Sequence, residues 1–157
     1  MKPITELTNV TGIKEIDKDN VILYFDNALS TIADKNNFSK IYDNIFFADW
    51  RCFDDMFYLV KRQVDGLWTL IYKQTGAFLN KDLWFNYIEN FNDEFFIITS
   101  SENHFKTLIY KKNGEFFNSD IWGCHWEIFN GNYLKVYTNK LPPYISFKIV
   151  EKIKENY

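Results

Sequence analysis

The sequence contains few of the residues on which disulfide and metal chemistry depend. Its 157 residues include two cysteines, Cys52 and Cys124, and two histidines, His104 and His125. Two cysteines do not support a disulfide framework, so reduced, buried thiols are expected. The histidines show no ligand spacing with the cysteines or with a pair of carboxylates, and we therefore expect no metal ion and no cofactor.

Long apolar runs are absent as well. The segment Met1–Leu7 lacks the run of about 7 to 15 apolar residues that a secretion signal requires. No stretch approaches the roughly 18 consecutive apolar residues of a membrane span. These absences predict a soluble, cytoplasmic protein that does not enter a membrane.

The usual catalytic signatures are missing too. The chain has no Gly-rich phosphate loop and no Gly-x-Ser-x-Gly elbow. Cys124 and His125 adjoin, but neighbouring residues of a strand point to opposite faces, which opposes a paired nucleophile and base. The carboxylate pairs Asp54–Asp55 and Asp93–Glu94 are of a kind that can run acid and base chemistry, but they recur at the repeat spacing described below. We interpret them as turn residues and expect no enzymatic activity.

Positive charge is in deficit. The 18 lysines and arginines face 21 aspartates and glutamates, and the imbalance lies in residues 1–60, which hold ten acidic and six basic side chains. Phosphate neutralisation needs a basic face, so nucleic acid is not an expected partner. An acidic region can attract a basic partner, although it can also serve only to keep a protein in solution.

Aromatic residues, in contrast, are abundant. They make up 20% of the chain, within a hydrophobic fraction of 46%. Such a composition is typical of a folded protein, and large flat side chains fit a pleated sheet better than a helix. The length is that of one domain, so we expect a single repeat domain over residues 1–157.

The chain repeats itself at an offset of 38 residues. Thr69–Phe78 reads TLIYKQTGAF and Thr107–Phe116 reads TLIYKKNGEF. The same offset relates further columns of apolar and aromatic residues, which places four units at about 17–54, 55–92, 93–130 and 131–157. The terminal copies are atypical, as expected of the ends of a repeat array.

Each unit is predicted to consist of about four short antiparallel strands. In the second unit they fall at Phe57–Lys61, Leu67–Lys73, Ala77–Leu79 and near Trp84–Phe91, with a hairpin turn at Gln74–Gly76. This is close to the size of a propeller blade. The fold class is therefore all-β, either propeller-like or an open, curved β array.

One copy resembles a known repeat family. Val60–Gly76 reads VKRQVDGLWTLIYKQTG and is similar to the bacterial WG repeat, also called KWG. The following copy keeps the segment TLIYKKNG. The resemblance implies a β-repeat scaffold that is used for binding, and it brings no catalytic residues.

Two groups of tryptophans suggest different roles. Trp84 and Trp122 lie in a recurring column and are predicted to belong to the core. Trp50, Trp68 and Trp126 are not repeated in kind, which makes them candidates for contact with a ligand, because exposed tryptophans are common anchors at interfaces.

Together these features favour a protein-binding module, similar as a class to the immunity proteins that accompany bacterial toxins. The expected partner is a basic toxin domain of the nuclease type, which would be occluded by contacts with Asp49, Trp50, Asp54, Asp55 and the other two unrepeated tryptophans. The alternative is a lectin-like carbohydrate binder with equivalent sites in each copy. A monomer or a homodimer fits either hypothesis, because exposed sheet edges invite pairing.

Overall fold

The computed structural model describes residues 9–100, 102–138 and 146–152. Within these ranges the chain forms twelve strands in four three-stranded antiparallel sheets, and no helix. The strands are β1 (Val10–Glu15), β2 (Asn20–Phe25), β3 (Ser30–Asp34), β4 (Asp49–Cys52), β5 (Phe57–Lys61), β6 (Trp68–Tyr72), β7 (Tyr87–Asn90), β8 (Phe95–Thr99), β9 (Lys106–Tyr110), β10 (His125–Asn130), β11 (Tyr133–Tyr137) and β12 (Phe147–Glu151). The predicted all-β repeat class is confirmed.

The sheets follow the 38-residue period. The second strands of the last three sheets begin at Phe57, Phe95 and Tyr133, and each sheet runs in chain order, β1-β2-β3 through β10-β11-β12. The propeller-like arrangement stays a prediction. Residues 1–8, 139–145 and 153–157, which include the N-terminal segment and much of the last predicted unit, lie outside the described residues.

The sheets are offset from the units that the sequence predicts. Strand β4 closes the first predicted unit, yet it pairs with β5 of the second in the register Asp49↔Lys61 to Cys52↔Tyr58. The reason is the length of the connection. Only residues 53–56 separate β4 from β5, whereas residues 35–48 separate β3 from β4, and short hairpins are the favoured way to join antiparallel strands.

The predicted strand at Ala77–Leu79 is wrong. The structure places a single bridge there, between Phe78 and Ile71. After the turn at Gly76, which has a φ of 75°, the amide of Leu79 still donates to the carbonyl of Leu70 in β6 at 3.0 Å. The pairing then ends because the chain turns again, with the amide of Leu83 donating to the carbonyl of Asn80 at 3.0 Å. Each sheet in the described residues therefore has three strands and not four.

Side-chain acceptors close the turns between the first and second strands of the last three sheets. Asp54 Oδ1 accepts hydrogen bonds of 2.9 Å from the amides of Met56 and Phe57. Asn92 and Asn130 make the same pair of bonds in their own copies. Asp and Asn are favoured at such positions because they satisfy amides that the turn leaves unpaired.

A threonine recurs in each of the first three sheets. Its hydroxyl donates to a carbonyl of the chain segment that follows the sheet, and the pairs are Thr31 to Ile45 at 2.9 Å, Thr69 to Leu83 at 2.5 Å and Thr107 to Ile121 at 2.7 Å. Because all three threonines are fully buried, these bonds satisfy groups that have no access to water.

The chain divides into two compact units between Trp84 and Phe85. They are called the N-terminal and C-terminal units, and the single domain over 1–157 stays a prediction. In the N-terminal unit the first two sheets share one core, whose buried members are Ile22, Ile32, Tyr42, Trp50, Tyr58, Val60 and Ile71. In the C-terminal unit the last two sheets do the same, through Phe95, Ile97, Leu108, Phe117, Trp126, Leu134 and Val136.

Candidate partner-binding site

A groove lies beside the β4–β5 turn of the N-terminal unit, and we call it the turn groove. Its volume is about 600 Å³, and it is lined by Asp55, Met56, Tyr72, Lys73, Gln74, Thr75 and Ala77. Two connections hold its walls together. The amide of Lys73 donates to the carbonyl of Met56 at 2.9 Å, and Tyr72 faces Phe57 in the β5–β6 register with ring centroids 4.8 Å apart.

The acidic side chains of the β4–β5 turn have different roles. Asp54 closes the turn through Oδ1, so part of its carboxylate is occupied. Asp55 is exposed at the rim of the groove, next to Met56, of whose surface 59% is exposed. Asp55 is therefore the carboxylate of this turn that is best placed to meet a partner.

The ammonium group of Lys73 contacts residues outside the groove lining. Its Nζ lies 3.1 Å from the sulfur of Cys52 and 5.0 Å from the centroid of the Tyr58 ring. A cation above an aromatic face is attracted by the negative face of the ring. The backbone carbonyl of Lys73 is also held, because the Tyr42 hydroxyl donates to it at 2.5 Å.

A polar network joins the first two sheets close to the groove. The hydroxyl of Tyr58 donates to Asp17 Oδ2 at 2.5 Å and accepts from the amide nitrogen of Asn20 at 3.0 Å. Burial, with the hydrogen bond to Asp17, raises the pKa of Tyr58. Burial by itself would raise the pKa of Asp17, but bonds from Tyr58 and two backbone amides, with the charge of Lys73, bring that pKa below its ordinary value. Asp17 is thus ionised and Tyr58 protonated at neutral pH.

The C-terminal unit contains the equivalent turn one repeat later. There Phe95 and Tyr110 have ring centroids 4.9 Å apart, almost the distance found for their counterparts in the N-terminal unit. The ammonium of Lys112 lies 5.4 Å from the Tyr110 centroid, and Lys152 Nζ lies 3.2 Å from Glu94 Oε1. Burial, and after it the charges of nearby glutamates, raises the pKa of Tyr110.

The predicted site residue Asp49 forms a hydrogen bond between two sheets. Its Oδ1 accepts a hydrogen bond of 2.8 Å from the hydroxyl of Tyr24, which links the second sheet to the first. Burial, with this bond, raises the pKa of Tyr24 to about 12. Asp49 is not among the residues that line the turn groove.

Trp50 and Trp126 are core residues, so the interpretation of them as ligand contacts is wrong. Only 1% of Trp50 and 4% of Trp126 is exposed. Their indole nitrogens donate to the carbonyls of Ser30 and Lys106 at 3.1 and 2.8 Å. The sequence did contain the signal, because the two tryptophans stand two repeat offsets apart with an isoleucine, Ile88, between them.

Trp68 is half-buried and flanked by cations. The guanidinium of Arg51 lies 4.7 Å from its ring centroid and the ammonium of Lys61, its partner in the β5–β6 register, lies 5.5 Å away. These two charges repel a basic partner, so the surroundings of Trp68 do not suit the ligand that the turn groove suits.

Trp84 and Trp122 are only half-buried, which corrects their assignment to the core. Each ring contacts the phenylalanine six residues earlier, with centroids 6.1 Å apart for Phe78 and 6.0 Å apart for Phe116. The guanidinium of Arg62 also lies 4.4 Å from the Trp84 centroid. Equivalent aromatic pairs thus recur near the surface of both units.

The residues considered for catalysis have other contacts. Cys124 donates to the carbonyl of Tyr137 at 3.2 Å, and His125 Nε2 lies 3.0 Å from Glu127 Oε1. Cys52 is exposed, contrary to the expectation of buried thiols. Among the residues that the structure describes, no three His, Cys, Asp or Glu side chains form a group suited to a metal ion. The same part of the chain has no helix long and apolar enough to cross a membrane.

Comparison of the sequence with models of protein families finds no match, and comparison with curated proteins finds none either. The fold and the groove define an all-β repeat protein with an exposed carboxylate beside an aromatic wall.

Proposed function

We propose that this chain is a non-enzymatic protein-binding module that neutralises a basic protein, such as a nuclease-type toxin, by covering its active site. The observation that carries the proposal is the turn groove, which combines a concave surface with the exposed carboxylate of Asp55. Concave sites with a few well-placed polar groups are the usual places where proteins hold ligand side chains.

The distribution of charge supports the same proposal. Asp54 and Asp55 lie in the first 60 residues, where acidic side chains outnumber basic ones by ten to six. An acidic surface speeds the encounter with a basic protein and disfavours acidic competitors. Since a specific interface buries about 800 Å² on each partner, the groove would be the centre of a larger contact.

The experiment is a pull-down of the tagged chain from the lysate of its own cells at low and at moderate salt, with mass spectrometry. The expected result is a single basic protein that is lost as the salt concentration rises. The purified pair is then tested for loss of that protein's own activity on complex formation. Retention of no protein, or retention that is independent of salt, contradicts the proposal.

A lectin-like function is a second candidate, which the aromatic pairs favour. Phe78–Trp84 and Phe116–Trp122 have nearly the same geometry, as expected of equivalent sugar platforms in successive repeats. A glycan array tests this candidate. Specific binding that is lost in both Trp84→Ala and Trp122→Ala would support it, and an array without specific binding would exclude it.

A further inference from the structure

We infer that the turn groove takes a lysine or arginine side chain of the partner, with Asp55 paired to the charged group and Tyr72 and Met56 against the aliphatic part. The inference rests on the proposed function and specifies its central contact. Long basic side chains bury their methylene groups on apolar surface while the charge stays near water or an acceptor.

The first support is the wall of the groove. Tyr72 and Phe57 pack at 4.8 Å with an interplanar angle of 40°, and Tyr110 and Phe95 pack at 4.9 Å with 42°. Two copies of the repeat therefore build the same aromatic wall.

In the C-terminal unit the chain's own lysines meet this site. Lys112 places its ammonium 5.4 Å from the centroid of Tyr110, and Lys152 forms an ion pair with Glu94 at 3.2 Å. A cation on the ring and a cation on the carboxylate of the turn are the two contacts that a basic ligand would make. Basic groups of the chain thus already lie against the ring of Tyr110 and against Glu94.

In the N-terminal unit the corresponding positions differ. Gln74 stands where the next copy has Lys112, and Met56 stands where it has Glu94. The cation that remains, Lys73, is directed to Cys52 and Tyr58, which do not line the groove. The same aromatic wall therefore has an acidic rim, Asp55, with no lysine of its own at the position of Lys112.

The charge of Asp55 and the apolar lining of the turn groove determine which kind of side chain the groove can bind. The carboxylate of Asp55 disfavours an acidic side chain, and the surfaces of Met56 and Ala77 suit a methylene chain. A basic side chain satisfies both requirements, which is why we assign the groove to a basic protein and not to a sugar.

The test uses the intact, isotope-labelled protein and two small probes. Nα-acetyl-lysine methylamide is the ligand, and Nα-acetyl-norleucine methylamide, which has the same carbon chain without the amine, is the control. We expect the lysine probe to shift the NMR signals of Tyr72, Met56 and Ala77 in a saturable manner and to leave Tyr110 unaffected. Equal binding of the norleucine probe, or shifts without saturation, would overturn the inference.

Four variants make the test specific. Asp55→Asn should lower the affinity of the protein for the lysine probe by about fivefold. Asp82→Asn, an equal change of charge at another exposed aspartate, should leave that affinity unchanged. Gln74→Lys should place the chain's own lysine on the ring of Tyr72 and abolish probe binding. The reverse change, Lys112→Gln, should bring new shifts at Tyr110. Unaltered probe affinity in both Asp55→Asn and Gln74→Lys would refute the inference.

The inference and the proposed function can fail separately. If a basic partner is found and binds equally well to the wild type and to Gln74→Lys, the proposed function stands and the inference is wrong. If the lysine probe binds as expected but the lysate yields no basic protein, the groove has the inferred chemistry and the proposed function is wrong.

Discussion

The hydroxyl of Tyr58 donates a 2.5 Å hydrogen bond to the carboxylate of Asp17, which lies 41 residues earlier in the chain. This bond joins β5 of the second sheet to the β1–β2 turn of the first. The ring of Tyr58 also receives the ammonium of Lys73, a residue that lines the turn groove. The contact between the two sheets and the shape of the groove therefore depend on the same tyrosine.

Tyr58→Phe should lower the free energy of unfolding by about 1 to 3 kcal/mol, because Asp17 Oδ2 loses the hydrogen bond from the hydroxyl in a partly buried place, while the two backbone amides still bind Oδ1. A phenylalanine ring fits this position of the repeat, since the next copy has Phe96 there. Urea denaturation measures the loss. Tyr133→Phe, at an exposed position, is the matched control and should change little.

Stability should fall at alkaline pH. Burial raises the pKa of Tyr24 and Tyr42 to about 12, above the value of 10.0 that is usual for tyrosine. Above pH 10 the unfolded chain therefore loses protons that the folded chain keeps. Tyr42, which is buried, lowers stability by at most about 1.4 kcal/mol per pH unit as pH rises from 10 to 12, and has no effect below that window. Tyr24 contributes less, because it is only partly buried and water screens its charge.

Urea denaturation at a series of pH values across this range measures the slope, and tyrosinate absorbance follows the titration. Tyr42→Phe should flatten the decline, whereas the exposed Tyr133→Phe should not. A wild-type protein whose stability is constant from pH 10 to 12 would contradict the expectation.

Two glycines allow the effect of backbone strain on stability to be measured separately from the effect of steric crowding. Gly66 and Gly76 have φ angles of 73° and 75°, but nothing lies within 4 Å of a Cβ added at Gly66, whereas one added at Gly76 would lie 2.8 Å from Tyr42 and 2.9 Å from Ile45. Gly66→Ala should lower the free energy of unfolding by about 1 kcal/mol, because alanine is strained at a positive φ. Gly76→Ala should lower it by about 3 kcal/mol, because the added methyl group also collides with neighbouring side chains. Equal losses in denaturation would show that crowding does not matter at Gly76.

Replacement of a buried threonine by valine should destabilise the protein. In Thr107→Val the side chain keeps its shape but the carbonyl of Ile121 loses its donor, which should cost about 1 to 2 kcal/mol. Thr107→Ser retains the hydroxyl and should restore the bond at the cost of a methyl group. If denaturation shows the valine variant to be as stable as the wild type, the bond does not contribute to stability.

Much of the fold was accessible from the sequence because it depends on local signals. Turn residues such as Asp54 and Asn92 satisfy amides two and three positions away, so their spacing predicts the hairpins directly. The choice of partner strand was less accessible, since β4 could close one unit or open the next. The short β4–β5 connection decided it.

The candidate site was predicted in part. The sequence indicates Asp55 as a binding residue, and Asp55 lies on the groove, whereas no sequence pattern indicates Tyr72, Met56 or Gln74 as lining it. The alignment of copies already showed Gln74 opposite Lys112, but it did not show that the lysine lies against an aromatic ring.

The sequence by itself determined the 38-residue period, the all-β class and the positions of the turns, because each follows from residues that act within a few positions of one another. The tertiary structure decided which aromatic side chains are buried. Trp50 stacks on Tyr42 in the core while Trp84 stays half-exposed, and this depends on which face of a sheet another sheet covers. Covering a face is a long-range event that removes apolar surface from water, so no local pattern specifies it.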